Sequence, residues 1–233
     1  MADTKSDIWA VIPVKETMGA KQRLSAAVPP HLRSELALVM LEDVLAAVSQ
    51  ARKLAGIALV TLDTRAIELA QRYGVRILTA DARGGHSAAV AAAARLLAAE
   101  GAGGMMQLPG DVPLATADEI SSILSMHRPA PSFTIVPARD EFGSNAVIVS
   151  PPTAVPLTFG ADSFFPHLQT AQRCGIDPLI IRLPGIGHDI DNPDDLQAFA
   201  RMGSPTRTQA FLESNSFADW GRIANANVQG NDG

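Results

Sequence analysis

Three cations follow one short apolar run near the N-terminus. The run ends in Ile12-Pro13-Val14-Lys15, and Ala20-Lys21-Gln22-Arg23-Leu24 comes shortly after it. Lys15, Lys21 and Arg23 therefore fall in the loop that leaves a strand. Open α/β sheets hold their ligands in loops at the C-terminal ends of parallel strands. A guanidinium can take phosphate oxygens in pairs, and a lysine acts as a compact point charge. The set suits a polyanion, above all a nucleoside triphosphate. The alternative is a solvated loop between a strand and a helix. The chain has no G-x-x-x-x-G-K-[ST], so the loop is not a Walker P-loop. Nor does the strand lead into G-x-G-x-x-G, which argues against a dinucleotide-binding dehydrogenase.

Two acidic segments could complete such a site. In Leu108-Pro109-Gly110-Asp111-Val112-Pro113-Leu114 an apolar strand runs into a turn stiffened by two prolines around Gly110. That turn aims the Asp111 carboxylate into the crevice. Mg²⁺ favours oxygen ligands and commonly takes one or two carboxylates plus substrate phosphates. The competing role for Asp111 is to satisfy nearby turn amides. Asp189-Ile190-Asp191 precedes Asn192-Pro193. Side chains alternate along an extended segment, so both carboxylates share one side. One suits a metal and the other can support it. Capping of the next helix by Asp191 or Asn192 is the alternative, and the two roles are compatible. His188 reads as a packing or hydrogen-bonding residue. Two loops of small residues, Gly143-Ser144-Asn145 and Phe159-Gly160-Ala161-Asp162-Ser163, offer hydroxyls and backbone N–H groups for a phosphate or carboxylate. A plain turn with Asp162 or Ser163 as helix cap explains the second loop equally well.

The elements that must position these residues follow from periodicity and breakers. Strands are predicted over 8–14, 57–61, 75–79, 105–108, 133–137, 146–150 and 179–183. Helices are predicted over 30–53, ended by Gly56, over 64–73, ended by Gly74, and over 87–100 in an Ala-rich stretch. Further helices run from the Thr116 cap to Met126, over 162–174, over 192–202 with Pro193 in the first turn, and over 206–220. Residues 222–233, rich in Asn and Gly, read as a loose tail. Alternating strands and helices predict an α/β fold, three-layered, with a mainly parallel sheet. The stretch 133–159 breaks the alternation and predicts an antiparallel pair beside the site. Residues 1–205 read as one domain, and 206–233 as a C-terminal helix and flexible tail.

Composition narrows the function classes. Hydrophobic residues make up 47% of the 233 residues and charged residues 18%, enough for a sizeable core. Aromatics are only 5%, so that core is mostly aliphatic. A net charge of -5 with no dense Lys/Arg run argues against nucleic-acid binding. Cys174 is the single cysteine, so no internal disulfide and no Cys/His metal spacing arises. Residues 1–7 carry no apolar signal core, and no apolar stretch reaches the ~20 residues of a membrane span. A soluble cytoplasmic protein without membrane partners is the expectation.

Taken in order, these motifs closely resemble the 2-phospho-L-lactate guanylyltransferase family of coenzyme F420 biosynthesis, whose close relatives use phosphoenolpyruvate or 3-phosphoglycerate. The resemblance rests on the cation segment, the Asp111 turn, Gly143-Ser144-Asn145-Ala146, Phe159-Gly160-x-x-Ser163-Phe164 and Asp189-Ile190-Asp191-x-Pro193-x-Asp195-Leu196. It covers roughly residues 8–200. It implies a nucleotide-diphospho-sugar-transferase-like, Rossmann-like fold and transfer of GMP from GTP to a small phosphorylated carboxylic acid, with Mg²⁺. By the same resemblance Lys15, Lys21, Arg23 and Asp111 are the catalytic set. Pro13, Val14, Lys15, Lys21, Arg23, Gly85, Ser87, Pro109 and Gly110 bind nucleotide. Ser144, Asn145, Gly160 and Ser163 bind the acid, and Asp111, Asp189 and Asp191 hold metal. A homodimer and a downstream F420-pathway transferase are the partners it suggests. One motif departs: Gly84-Gly85-His86-Ser87 stands where the family shows Arg-Gly-Leu-Asn, which leaves base preference open. Another nucleotidyltransferase, of cofactors or sugars, and a catalytically silent nucleotide-binding homologue are the competing readings.

Overall fold

The apolar run Ile8–Pro13 forms β1, an interior strand of a seven-stranded sheet. The computed structural model describes residues 7–17, 21–160 and 162–217. The other strands are β2 (Leu54–Val60), β3 (Arg76–Leu78), β4 (Gly104–Gln107), β5 (Ser132–Pro137), β6 (Ser144–Ser150) and β7 (Leu179–Ile180). Their order is β3-β2-β1-β4-β6-β5-β7. Neighbours pair in parallel except at β6, which runs antiparallel to both β4 and β5. The antiparallel element predicted over 133–159 is therefore the β5–β6 pair. Because β6 alone is reversed, its first residue, Ser144, lies at the edge where the other strands end. Ser144 pairs there with Pro137, the last residue of β5.

Among the described residues there are seven α-helices: α1 (Pro30–Gln50), α2 (Thr64–Gln71), α3 (His86–Ala99), α4 (Ala117–Met126), α5 (Phe164–Arg173), α6 (Pro193–Met202) and α7 (Arg207–Ser214). Alternation along β1 sends Ala10 and Ile12 to one face and Val11 to the other. The first face packs against Leu41, Val44 and Leu45 of α1, Leu69 of α2, and Ile120 and Ile123 of α4. Val11 joins Ala58, Val60 and Met105 against Val90, Ala93 and Leu97 of α3. On β5 and β6, Phe133, Ile135, Val147 and Val149 pack against Phe164 and Ala171 of α5. Three layers result, with the central strands β1, β4, β5 and β6 buried on both faces. Helix α7 docks on α1, where the buried Asp43 carboxylate accepts from the Thr208 amide (2.9 Å) and hydroxyl (2.7 Å) and from the Arg207 amide (3.0 Å). Among the described residues no helix is long and apolar enough to cross a membrane.

Several boundaries differ from the sequence reading for physical reasons. Helix α1 ends at Gln50, and a turn with φ 73° at Lys53 leads into β2, which runs straight through Gly56. A Cβ at Gly56 would stand 2.6 Å from the Trp9 ring, so this glycine makes room for an indole rather than ending a helix. Strand β7 is only Leu179–Ile180, an edge strand whose chain soon turns away at Pro184-Gly185. Helix α5 starts at Phe164, and Ser163 does not cap it with its side chain. Helix α6 is capped by Asn192, not Asp191. Asn192 accepts from the Asp194 and Asp195 amides while Asp195 reaches back to the Asn192 amide, a complete capping box. Helix α7 stops at Ser214, short of the predicted end, where the backbone turns with φ 54° at Ser216; residues 218–220 and the tail predicted over 222–233 lie outside the described residues.

Candidate active site

The loops leaving β1, β4 and β5, the segment after β7 and the start of β6 surround a cleft of about 790 Å³. It lies where strand ends converge, the position that open α/β sheets reserve for ligands. Pro13, Val14, Lys15, Lys21 and Arg23 line it, as do Pro109, Gly110 and Asp111. So do Ser144, Asn145, Gly160, Ser163, Asp189 and Asp191. Ala20, part of the cation motif, lies outside the described residues.

The first loop is anchored at two points. Asp63, the N-cap of α2, accepts from the Thr17 amide and hydroxyl, both at 2.6 Å, and from the Ala66 amide at 2.9 Å. Burial alone would raise the Asp63 carboxyl, but these donors outweigh it and hold it below the ordinary range. Ser34 of α1 donates to the Thr17 carbonyl at 2.8 Å. The loop then resumes at Lys21, whose backbone takes φ 53°, an uncommon region for a side-chain-bearing residue.

That turn sends the Lys21 ammonium into the acidic half of the cleft. Its Nζ donates to Asp111 Oδ2 at 2.5 Å, the Ile190 carbonyl at 2.7 Å and Asp191 Oδ1 at 3.0 Å. Burial would depress the Lys21 pKa, yet Asp111 and Asp191 outweigh burial and raise it. Arg23, far more exposed, reaches Asp191 at 3.6 Å. Lys15 lines the cleft and is exposed. The two acidic segments are joined through the main chain, the Ile190 amide donating to the Asp111 carbonyl at 3.1 Å. Ile190 itself is buried, so its two neighbours face the cleft, as the alternation argument requires.

Among the described residues Asp189 has no cation paired with it. It accepts from the Asn145 side-chain amide at 3.1 Å. Burial pushes its carboxyl up to about 6, and the charges of Asp111 and Asp191 push the same way, against the Asn145 hydrogen bond. Lys21 thus pairs with two of the three carboxylates and the exposed Arg23 only approaches Asp191, leaving an excess of negative charge that a divalent cation would relieve. Among the described residues no three His, Cys, Asp or Glu side chains group closely enough to cage a metal alone. A Mg²⁺ that draws most of its ligands from phosphate and water needs no such cage. The hard oxygens of Asp111, Asp189 and Asp191 fit it chemically.

The hydroxyl side of the cleft is a different environment. Ser144 and Ser163 are buried and bond to each other at 3.2 Å. Ser144 Oγ also meets His167 Nδ1 at 2.9 Å, and His167 Nε2 accepts from the Thr158 amide at 3.1 Å. Ser163 leaves the α5 amides uncapped because its own backbone is already helical, with φ -79° and ψ -16°, rather than in the extended region an N-cap needs.

Gly85 and Ser87 do not line the cleft, but His86 between them does. Gly85 takes φ 87°, placing His86 at the first position of α3. The His86 ring lies 4.4 Å from Phe159 between centroids, and its Nε2 meets the Gln107 amide nitrogen at 3.2 Å. Burial lowers the His86 pKa to about 4, so it is neutral at physiological pH. Ser87 instead accepts from the Phe159 amide at 2.9 Å, tying the start of α3 to the Gly160 loop. Sequence reasoning singled out this stretch for its departure from a family motif, but not His86 itself. Nothing in the sequence marked Asp63 or Thr17, whose pairing spans 46 positions. His188 is buried at the cleft wall, and among the described residues its Nε2 has no hydrogen-bond partner.

A family model for CofC-like guanylyl transferases matches residues 8–220. The phosphoenolpyruvate guanylyltransferase of Rubrobacter xylanophilus is 35% identical over 84% of this chain and 95% of its own length. The 3-phospho-D-glycerate guanylyltransferase of Colwellia psychrerythraea is 32% identical over 84% of this chain and 92% of its own. A solved structure from Desulfovibrio desulfuricans G20, provisionally assigned as a nucleotide-diphospho-sugar transferase, superposes with a TM-score of 0.74 at 17% identity. It covers 92% of this chain and 98% of its own. That likeness bears on the fold, which is nucleotide-diphospho-sugar-transferase-like as the resemblance implied.

Proposed function

The chain belongs to the CofC-like guanylyl transferase family, and on that premise we propose that it transfers GMP from GTP to the phosphate of a small phosphorylated carboxylic acid. Phosphoenolpyruvate is the first candidate, since the more similar of the two relatives described above carries that name. 3-Phosphoglycerate and 2-phospho-L-lactate follow. These acids differ in a methylene, a hydroxymethyl or a methyl, so discrimination among them rests on pocket shape. The observation that carries the reading is the meeting, in one cleft, of a cation loop, three carboxylates and a buried hydroxyl pair.

A phosphate oxygen of the acid attacks the α-phosphorus of GTP. The bond from that phosphorus to the bridging oxygen breaks, pyrophosphate leaves, and a diphosphodiester forms. The nucleophile is already anionic, so no side chain need remove a proton. The protein positions the two anions and neutralises charge. Lys15 and Arg23 supply mobile positive charge to the triphosphate. Lys21 fixes Asp111 and Asp191 against each other and brings a third cation to the same place. Ser144, Ser163 and the Gly160 backbone receive the acid. Mg²⁺ held by Asp111 with Asp189 and Asp191 would supply Lewis-acid stabilisation of the phosphoryl oxygens. The reaction would sit in a reducing cytoplasm, a reading supported by the lone exposed thiol of Cys174. Its product would pass to a downstream transferase of F420 assembly.

The test is pyrophosphate release by the purified protein with GTP, Mg²⁺ and each acid in turn. Asp111→Asn should cut that release by roughly 100-fold or more without altering the fold seen by circular dichroism. Turnover unchanged in Asp111→Asn, or faster turnover with CTP or ATP than with GTP, would refute the assignment.

A further inference from the structure

The buried pair Ser144 and Ser163 has two hydroxyl protons, and what they can offer a ligand is set by a third residue. The hydroxyl–hydroxyl bond consumes one proton whichever serine donates. The fate of the other depends on His167. If His167 Nδ1 lacks a proton, Ser144 must donate to it. Ser163 then donates to Ser144, and only lone pairs face the cleft. If Nδ1 carries the proton, the ring donates to Ser144, and one hydroxyl proton remains for a ligand.

The backbone decides between these states. The Thr158 amide can only donate, and it points at His167 Nε2 at 3.1 Å. Nε2 is therefore the unprotonated nitrogen, and in a neutral ring the proton sits on Nδ1, 2.9 Å from Ser144 Oγ. The ring is 1% exposed and packs edge-on against Phe159, with centroids 4.9 Å apart, so it is held in this pose. Burial also keeps it neutral, its pKa lowered to about 4. We propose that His167 is a positioning residue, held as the Nδ1–H tautomer by the Thr158 amide, which turns the Ser144–Ser163 pair into a hydrogen-bond donor for an anionic acceptor substrate. The proposal rests on reading this side of the cleft as the seat of the phosphorylated acid.

Two measurements on the full chain test it. Long-range ¹H–¹⁵N histidine spectra of the ligand-free protein, assigned by the signal lost in His167→Asn, should report Nδ1 protonated and Nε2 bare. An Nε2–H tautomer overturns the proposal whether or not the protein turns over. The second measurement is steady-state kinetics. His167→Phe keeps an aromatic ring but no ring N–H, so one hydroxyl proton stays free with nothing to direct it into the cleft, and the KM for the acid should rise about 5- to 10-fold, leaving the KM for GTP unchanged. His167→Asn puts an amide N–H near the Nδ1 position and should restore the acid KM to within about 3-fold of wild type. In a Ser144→Ala background Ser163 keeps its own proton, so adding His167→Phe should change the acid KM by less than about 2-fold. Equal damage in Phe and Asn variants, a parallel rise in the KM for GTP, or a full His167→Phe effect in Ser144→Ala would each refute the role. Failure of the functional reading shows separately, as wild-type protein that releases no pyrophosphate with any acid.

Discussion

Replacing Asp189 with Asn should stabilise the metal-free protein at neutral pH. The native pKa of Asp189 stands at about 6 against an ordinary 3.8, raised by burial and then by Asp111 and Asp191. The folded chain thus keeps this proton to a pH at which the unfolded chain has released it. The stabilisation from the neutral carboxyl is complete below about pH 4 and is lost as pH rises through 6. Two pKa units correspond to about 3 kcal/mol as an upper bound. For a chain of this length that is a rise in Tm of roughly 6–12 °C. Asn is nearly isosteric, and its carbonyl can still accept from Asn145, so little else changes. Calorimetric melts in EDTA from pH 4 to 7.5 provide the assay. The Asn variant should match wild type near pH 4 and exceed it increasingly above pH 6. Added Mg²⁺ should close the gap by stabilising wild type alone. A constant offset across the pH range, or a variant less stable at pH 7.5, would show that Asp189 is not held in a charge-crowded, buried state.

Lys21→Met should tighten Mg²⁺ binding to nucleotide-free protein several-fold, about 2- to 10-fold, since the ammonium no longer competes for Asp111 and Asp191, while the KM for GTP rises; calorimetric Mg²⁺ titration and kinetics read the two effects. Asp63→Ala removes the α2 cap and the Thr17 anchor together, at a cost of about 1–2 kcal/mol in urea unfolding. It should also raise the KM for GTP more than that for the acid, because the released loop carries Lys15 and Lys21. Gly56→Ala should destabilise by about 1–3 kcal/mol in the same assay through the clash with Trp9, and Trp9→Leu should recover most of that loss.

The parts of this molecule legible in its sequence are those carried by local signals. The strand before Lys15, the stiff turn at Asp111 and the alternating Asp189-Ile190-Asp191 each announce a direction for a side chain, and the sheet then brings those directions together. Hydrophobic periodicity gave the layer order for the same reason. What stayed hidden depends on partners distant in the chain. Gly56 looks like a helix stop until Trp9 is known to lie across it. Ser163 looks like a helix cap until its backbone is found already in the helical region and its hydroxyl paired with Ser144, nineteen positions away. Lys21 reads as one of three free cations, and only the fold sets its ammonium among Asp111, Ile190 and Asp191. This last placement changes the electrostatic picture of the cleft. On the proposed function, the lysine and an incoming divalent cation would compete for the same oxygens, whereas Lys15 and Arg23 are exposed and would meet the triphosphate. The cation loop is therefore divided in function. Its inner lysine ties Asp111 to Asp191, and on the proposed function its two exposed cations would supply the charge that meets the nucleotide.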